Sequence, residues 1–371
     1  MSHALHVSAP DARIIARLLT KIDKPAESIA DALTYHGYIQ LDPLNVCGRM
    51  HDLILRNRVS GYRRGELLRV LHDSHEDGTR PRNRLGFEHY LPGKGILAAW
   101  PMSALPYVQA YLRRIHPTTT RRQLSTEEQP LADLILRQIA EEGPATSDQF
   151  KHEGRARTAW GTDGRLVKHI LEKLFSAGHI LITERRDFRR VYDLAERVVS
   201  TLPERQLPSD EELQRWLALL RVRQRRLVSL RRSDFELIGD SLQKLDVNGT
   251  PVCCLKVDCA VFDGPRPEVD GTLRLLAPLD PLIYDRTLTE RIWNFDFTWE
   301  VYTPPHLRQR GYYSLPALAG TEIVGDVEPR ADWKRGRLVI ESKRLKRGYS
   351  AAPAISDLAS FLGLRARGNR P

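Results

Sequence analysis

The sequence predicts an α+β chain of about three tandem winged helix-turn-helix segments followed by a small C-terminal β-barrel. Three observations carry this reading. Helical runs are twice followed by a β-hairpin pattern, near 164–194 and 234–261. From Gly271 onward, aromatic and β-branched residues alternate in short runs between Gly and Pro turns. The 371 residues also exceed one ordinary core, at roughly 100–200 residues per domain. The segment boundaries are expected at 1–120, 121–205, 206–265, 266–350 and 351–371.

In chain order, Ser8 to Leu19 opens on a Ser-Ala-Pro-Asp cap, and Ala26 to Tyr35 places Ile29 and Leu33 four apart. Gly37 to Leu41 reads as extended. It delivers the chain into a helix beginning at Asp42-Pro43, an N-cap followed by a first-turn proline, and running through Leu44 to Val59. Tyr62 to His72 is a fourth helix. Residues 72–94 are polar. His72, Asp73, His75, Glu76 and Asp77 have the composition of metal ligands but match no known cage, so a solvated loop and no metal are expected. Phe87, His89, Tyr90, Trp100 and Tyr107 are read as packing on the first segment.

The link His116-Pro-Thr-Thr-Thr120, flanked by arginines, marks a boundary. A capping box at Ser125/Glu128 then opens a helix to Glu142, stopped by Gly143-Pro144. A short helix from Ala145 to Phe150 and a longer one from Gly164 to Ala177 follow, and then the hairpin of HILITERRDFRRVYDL. Ser209 to Glu212 is a further cap signature, before helices over 213–220 and 234–242 and a hairpin over 244–261. A helix from Pro353 to Leu364 and a basic tail close the chain.

The formal charge is +10, from 57 Lys+Arg against 47 Asp+Glu, and it is clustered. Arginine binds phosphate through a planar fork, so a nucleic-acid partner is favoured over a merely basic protein. Arg185, Arg186, Arg189 and Arg190 fall on the first hairpin. Arg221, Arg223, Arg225 and Arg226 fall in an acid-free run, 221–232, that is hard to explain as an ion-paired face. All eight are expected to contact DNA, together with Arg49, His51 and Arg56 on the helix after Asp42.

The four cysteines (Cys47, Cys253, Cys254 and Cys259) form no C-x-x-C, which suits a reduced protein. With no signal-peptide core and no apolar stretch of bilayer length, a cytoplasmic location is expected. No phosphate-cradling Gly loop, G-x-S-x-G or H-E-x-x-H occurs, and no cofactor is expected.

One stretch suggests chemistry. If Ile39 to Asp42 is extended, Gln40 and Asp42 project to one side and Ile39 and Leu41 to the other. An amide and a carboxylate would then stand together, although Asp42 could equally serve as a cap.

QLDPLNVCGRMHDLILRNR, the hairpin ending RVYDL, and above all LLAPLDPLIYDR and WEVYTPPHLRQRGYYSLPAL resemble the bacterial DNA glycosylases of azinomycin resistance and interstrand-crosslink unhooking (AlkZ/YcaQ type). The resemblance runs from about Ser8 to about Leu364 and implies tandem winged helices with a β-barrel. The family's Gln-apolar-Gln or Gln-apolar-Asp motif falls on Gln40-Leu41-Asp42, similar to the crosslink-unhooking branch. It implies catalysis by Gln40 and Asp42 and hydrolysis of the N-glycosidic bond of N7-alkylated purines, bulky or crosslinked adducts among them. The expected partner is double-stranded DNA bound by a monomer. No lysine lies near the motif, so no strand cleavage is expected. Phe87-Glu88-His89-Tyr90 departs from the family's aromatic-acid-aromatic segment, which bears on substrate range. The alternative expectation is a non-enzymatic winged-helix DNA-binding protein or transcription regulator, with an RNA-binding module as a weaker option.

Overall fold

In the computed structural model of the protein, the described residues are 4–72, 84–114, 123–157, 163–186 and 189–366. The chain divides into two units: Met1–Leu67 together with Leu217–Pro371, and Leu68–Trp216. The outer unit joins the two ends of the sequence, so the first expected segment shares a core with much of the last three.

In the outer unit, Ser8 Oγ accepts from the Asp11 N–H and starts the helix Ala9–Leu19, whose inner face is Ala12, Ile15, Ala16 and Leu19. The helix Ile29–His36 is capped likewise by Ser28 and stops at Gly37, in the left-handed region at φ +79°. There the chain turns into the short strand Ile39–Gln40. The strand Leu5–Val7 lies parallel to Leu242–Val247, which pairs antiparallel with Thr250–Leu255. Asn248-Gly249, both at positive φ, supply the two-residue turn of that hairpin. Val7, Ile15, Leu245 and Val252 meet Leu288 and Trp293 in one apolar core.

The C-terminal β-rich region is an open five-stranded sheet rather than a closed barrel. Its strands Arg274–Leu275, Leu315–Ala319, Glu322–Asp332, Arg337–Leu345 and Arg365–Ala366 lie in chain order, and the two outer strands are edges. Not all of the β-textured region after Gly271 is strand: residues 276–285 and 293–305 form none. Pro278, Pro281, Pro304 and Pro305 lack the N–H that a ladder needs, and Asp285 caps the helix Arg286–Trp293 instead. One face of the sheet packs Leu315, Ala317 and Val327 against Met50, Leu53 and the helix Ala352–Leu362.

A buried ion pair crosses this unit. Arg58 donates through Nη1 to Asp280 Oδ2 (2.7 Å) and through Nη2 to Oδ1 (2.5 Å). Both side chains are fully buried, and Arg58 Nη1 also reaches the Ile54 carbonyl (3.2 Å).

In the inner unit, the hairpin Gly86–Tyr90/Leu97–Pro101 leads into the helix Leu105–Arg114. The Ser125/Glu128 capping box forms as expected, with reciprocal bonds of 2.7 and 3.3 Å, before the helix Gln129–Glu142. The helix Leu166–Ala177 and the hairpin Ile180–Arg186/Arg189–Leu194 follow. The expected helix at 145–150 is a turn. Ala145 bridges to Tyr192 on the hairpin, and Gln149 Oε1 accepts the Thr146 N–H (2.6 Å), satisfying locally what a helix would have satisfied. Before the Leu166–Ala177 helix, a short hairpin, Arg155–Arg157/Asp163–Arg165, stands where none was expected.

Arg58→Met should lower stability by about 3–5 kcal/mol, because it strands a buried carboxylate at Asp280. Arg58→Met/Asp280→Leu should recover much of that loss. Chemical denaturation of the single and double variants measures both.

Candidate active site

The candidate site is built on one extended segment. Ile39 and Leu41 are buried while Gln40 and Asp42 are half-exposed, the burial alternation of an extended segment. Pro43 disfavours helical backbone at Asp42. Asp42 caps no helix. Its Oδ1 accepts the Leu44 N–H two residues on (2.9 Å), an Asx turn. The expected helix over 42–59 contracts to Met50–Leu55. Gly48 at φ +107° and a bridge between Asn45 and Arg49 close the intervening loop instead. A Cβ at Gly48 would lie 3.1 Å from Leu362 and 3.2 Å from Leu53, so the loop is seated against the core as well as turned.

Burial pushes the Asp42 carboxyl above its ordinary range, and the Leu44 N–H and the Arg49 guanidinium offset only part of that. Arg49 itself reaches the Pro43 carbonyl through Nη1 (3.2 Å). Beneath lies Tyr313, fully buried, with its hydroxyl on Met50 Sδ (4.0 Å). Burial and then the neighbouring Cys47 and Asp42 push its phenol well above its ordinary value. Cys47 is itself fully buried, with its thiol pushed up by burial, which leaves it inert as a nucleophile. Tyr313 lies in the apolar core with Cys47 and Met50, and the Asp42 charge acts on its phenol; the sequence signal for it is its place in the stretch that most resembles the family.

Two of the three basic side chains after Asp42 do not face outward. His51 is 2% exposed, beside the Asp52 carboxylate that also holds Tyr62 and the Gly65 N–H. Arg56 pairs with Asp357 and stacks on Phe361, its side chain 7% exposed. Burial of the Met50–Leu55 helix on every side takes both away from solvent; only Arg49 stays near Asp42.

The acid-free arginine run finds its partners elsewhere in the sequence. Arg226 is buried on Asp258 (3.1 Å) and over the Tyr35 ring, Arg225 lies over Tyr284 (4.0 Å), and exposed Arg221 reaches Asp234 (3.3 Å). Arg223 is half-buried. On the hairpin of the inner unit, the four arginines divide. Arg185 clamps the fully buried Glu88 (Nε to Oε1 2.6 Å), which also meets His72 (2.7 Å). Burial pushes the Glu88 carboxyl up, but Arg185 and His72 outweigh it and hold the group well below the carboxylate range. Arg190 is tied to Glu172 (2.5 Å). Arg186 and Arg189 remain mostly exposed, on Glu184 and Asp148 respectively. Of the acidic and histidine cluster at 72–77, all but His72 lie outside the described residues.

A family model of AlkZ-like DNA glycosylases matches residues 34–362, which include Gln40, Asp42, Arg49 and Tyr313. The chain belongs to the AlkZ-like DNA glycosylase family. The Streptomyces sahachiroi DNA glycosylase AlkZ is similar in structure, with a TM-score of 0.61 over 98% of this chain and 100% of that one. At 15% identity, that likeness shows a shared fold.

For this AlkZ-like glycosylase, the raised Asp42 carboxyl has a consequence for stability. The folded state binds the Asp42 proton more tightly than the unfolded chain does. The charged form therefore opposes folding above the ordinary carboxylate range, and this penalty fades as the pH falls through the raised value. Asp42→Asn keeps an acceptor for the Leu44 N–H and removes the charge. Its melting temperature at neutral pH should equal or exceed that of the unmodified protein, and the difference should vanish under acidic conditions.

Proposed function

We propose that this glycosylase hydrolyses the N-glycosidic bond of N7-alkylated purines in double-stranded DNA, bulky adducts and interstrand crosslinks included, without cleaving the strand. In this reading it acts as a cytoplasmic monomer. The observation that carries the proposal is the pairing of a half-exposed amide with a partly desolvated carboxylate, Gln40 and Asp42, on one extended segment within the family match.

Alkylation at N7 leaves the purine cationic, so it departs without a general acid. The barrier then lies in the developing oxocarbenium charge and in delivery of water. A partly desolvated carboxylate with one hydrogen bond, from the Leu44 N–H, serves both needs. Asp42 there stabilises positive charge better than a fully hydrated carboxylate would, and its raised basicity suits it to take a proton from the attacking water. Gln40 donates and accepts from one group and so can orient that water. The Leu44 N–H and, after it, the Arg49 guanidinium favour the ionised form of Asp42 against its burial. No lysine occurs from Gly37 to Arg58, so the segment supplies no amine for Schiff-base strand cleavage.

Excision of N7-methylguanine and of a bulkier N7 adduct from duplex DNA tests the proposal. Asp42→Asn should lose about 10²–10⁴-fold in single-turnover rate while remaining folded. Gln40→Ala should retain more activity than Asp42→Asn. If the wild type releases neither base, the substrate assignment fails.

The acid limb of the rate profile should lie above ordinary carboxylate values, since catalysis needs ionised Asp42. Arg49→Ala should move that limb to higher pH by removing the charge that favours ionisation. A limb that stays in place would remove Arg49 from this role.

A further inference from the structure

Arg225 stands apart from its neighbours in the arginine run of residues 221–232. Arg221, Arg226 and Arg232 each have a carboxylate, at Asp234 (3.3 Å), Asp258 (3.1 Å) and Glu236 (3.1 Å). Arg225 is half-buried, yet no carboxylate among the described residues lies within ion-pair distance of it. Its guanidinium lies over the Tyr284 ring, 4.0 Å from the centroid, and of its three nitrogens Nε alone is closed off from solvent, with no hydrogen-bond partner. Burial presses its pKa down, and Arg221, one turn earlier on the helix Asp210–Arg225, adds to that, while Tyr284, Tyr38 and Asp285 offset only part. Asp285 is committed elsewhere: its Oδ1 accepts the Leu288 N–H (3.2 Å) as a helix cap.

A half-desolvated cation without an anion costs the fold free energy. The Tyr284 face and the negative end of the helix return part of it. The cavity that Arg225 shares with Leu227, Leu282 and Leu288 measures about 20 Å³, room for one water at most. An anion that completes the site must therefore come from the solvent side, where Nη1 and Nη2 form a planar fork already held flat by the ring. Such a fork matches two oxygens of a phosphate.

The same stretch of chain is packed against the entry to the candidate site. A Cβ at Gly37 would lie 3.6 Å from Leu220 Cδ2 and 3.7 Å from Arg223 Cδ. Arg226 donates to the Tyr35 carbonyl and lies over the Tyr35 ring (3.3 Å). Contacts on both sides of Arg225 in the sequence thus seat this turn on residues 35–37, just ahead of Gln40.

We propose that Arg225 clamps a backbone phosphate of the DNA substrate, with Tyr284 as the shelf that holds its guanidinium in place. This rests on the reading above that duplex DNA is the substrate, but the clamp itself does not require the reaction.

The test separates the two. A duplex carrying a tetrahydrofuran abasic site has no glycosidic bond to hydrolyse, and its affinity is measured between about 50 and about 200 mM salt. Wild type should bind with a steep salt dependence. In Arg225→Met the slope of log Kd against log salt should become shallower by about 0.9, the value of one phosphate contact on duplex DNA. Affinity at the lower salt should fall about tenfold. The melting temperature should not fall, because the substitution removes an uncompensated charge and keeps an apolar stem for the ring. Arg225→Lys should restore the slope but only part of the affinity, since an ammonium keeps the charge without the fork. Arg232→Met removes the same charge from a side chain that is 94% exposed, and should alter the slope less. An unchanged slope in Arg225→Met, or equal changes in Arg225→Met and Arg232→Met, would overturn the clamp. So would a lower melting temperature with unaltered binding, which would make Arg225 a structural residue. Arg225-dependent binding by a wild type that excises no N7 adduct would support the clamp and sink the substrate assignment.

Discussion

The contact on which the outer unit depends is the buried pair between Arg58 and Asp280, two residues 222 positions apart. Neither charge can be left alone in a low-dielectric interior, so each fixes the other, and with it the chain on either side. Arg58 ends the stretch that begins at Gln40, and Asp280 stands where the C-terminal sheet gives way to irregular chain. Similar long-range ties recur: Arg17 reaches the Gly320 carbonyl, Arg56 reaches Asp357, and Asn57 reaches the Leu275 carbonyl. The candidate site is a short strand and loop with little regular structure of its own. It is held in place by residues from the other end of the chain.

This arrangement changes how the arginines are understood. A positive net charge and arginine clusters point to a polyanion, yet several of the guanidinium groups that look most available in the sequence are structural. Arg185 and Arg190 serve the inner unit, and Arg56, Arg58 and Arg226 the outer one. Arg186, Arg189, Arg221 and Arg232 are among those left largely in solvent, each with an exposed or half-exposed acidic neighbour. Such surface pairs contribute little and exchange readily for phosphate. Local scarcity of acid in a sequence is therefore a weak guide to free charge in a fold whose partners come from far along the chain.

What was legible followed from local physics. Ser8 capped its helix and Ser125 its first turn, a hairpin formed over 242–255, and Ile39 and Leu41 are buried while Gln40 and Asp42 are not. Readings failed where two local rules competed or where the deciding partner was remote. Asp42-Pro43 satisfies the rule for a helix start and also that for an Asx turn, and Gly48 decided for the turn. The aromatic runs after Leu276 have strand composition, but their prolines break the ladder and Asp285 starts a helix. Glu88, an acid in a strand, gave no sign that Arg185 and His72 would meet it in the interior. The open sheet shows the same limit: strand identity is local, whereas closure depends on how distant edges meet.

The division of the chain also orders events in time. The residues that carry Gln40 and Asp42 leave the ribosome before the inner unit, but their core is completed only by residues after 217. At about 5–20 residues per second, the intervening unit emerges first and can close upon itself while the catalytic segment waits without a partner for its Arg58. Side chains such as Met50, Leu53, Ile54 and Leu55, buried in the folded unit, are then exposed for many seconds in a nascent chain whose other half does not yet exist. Birth is thus the stage at which this protein is most open to aggregation, and the N-terminal portion expressed alone would remain in that state.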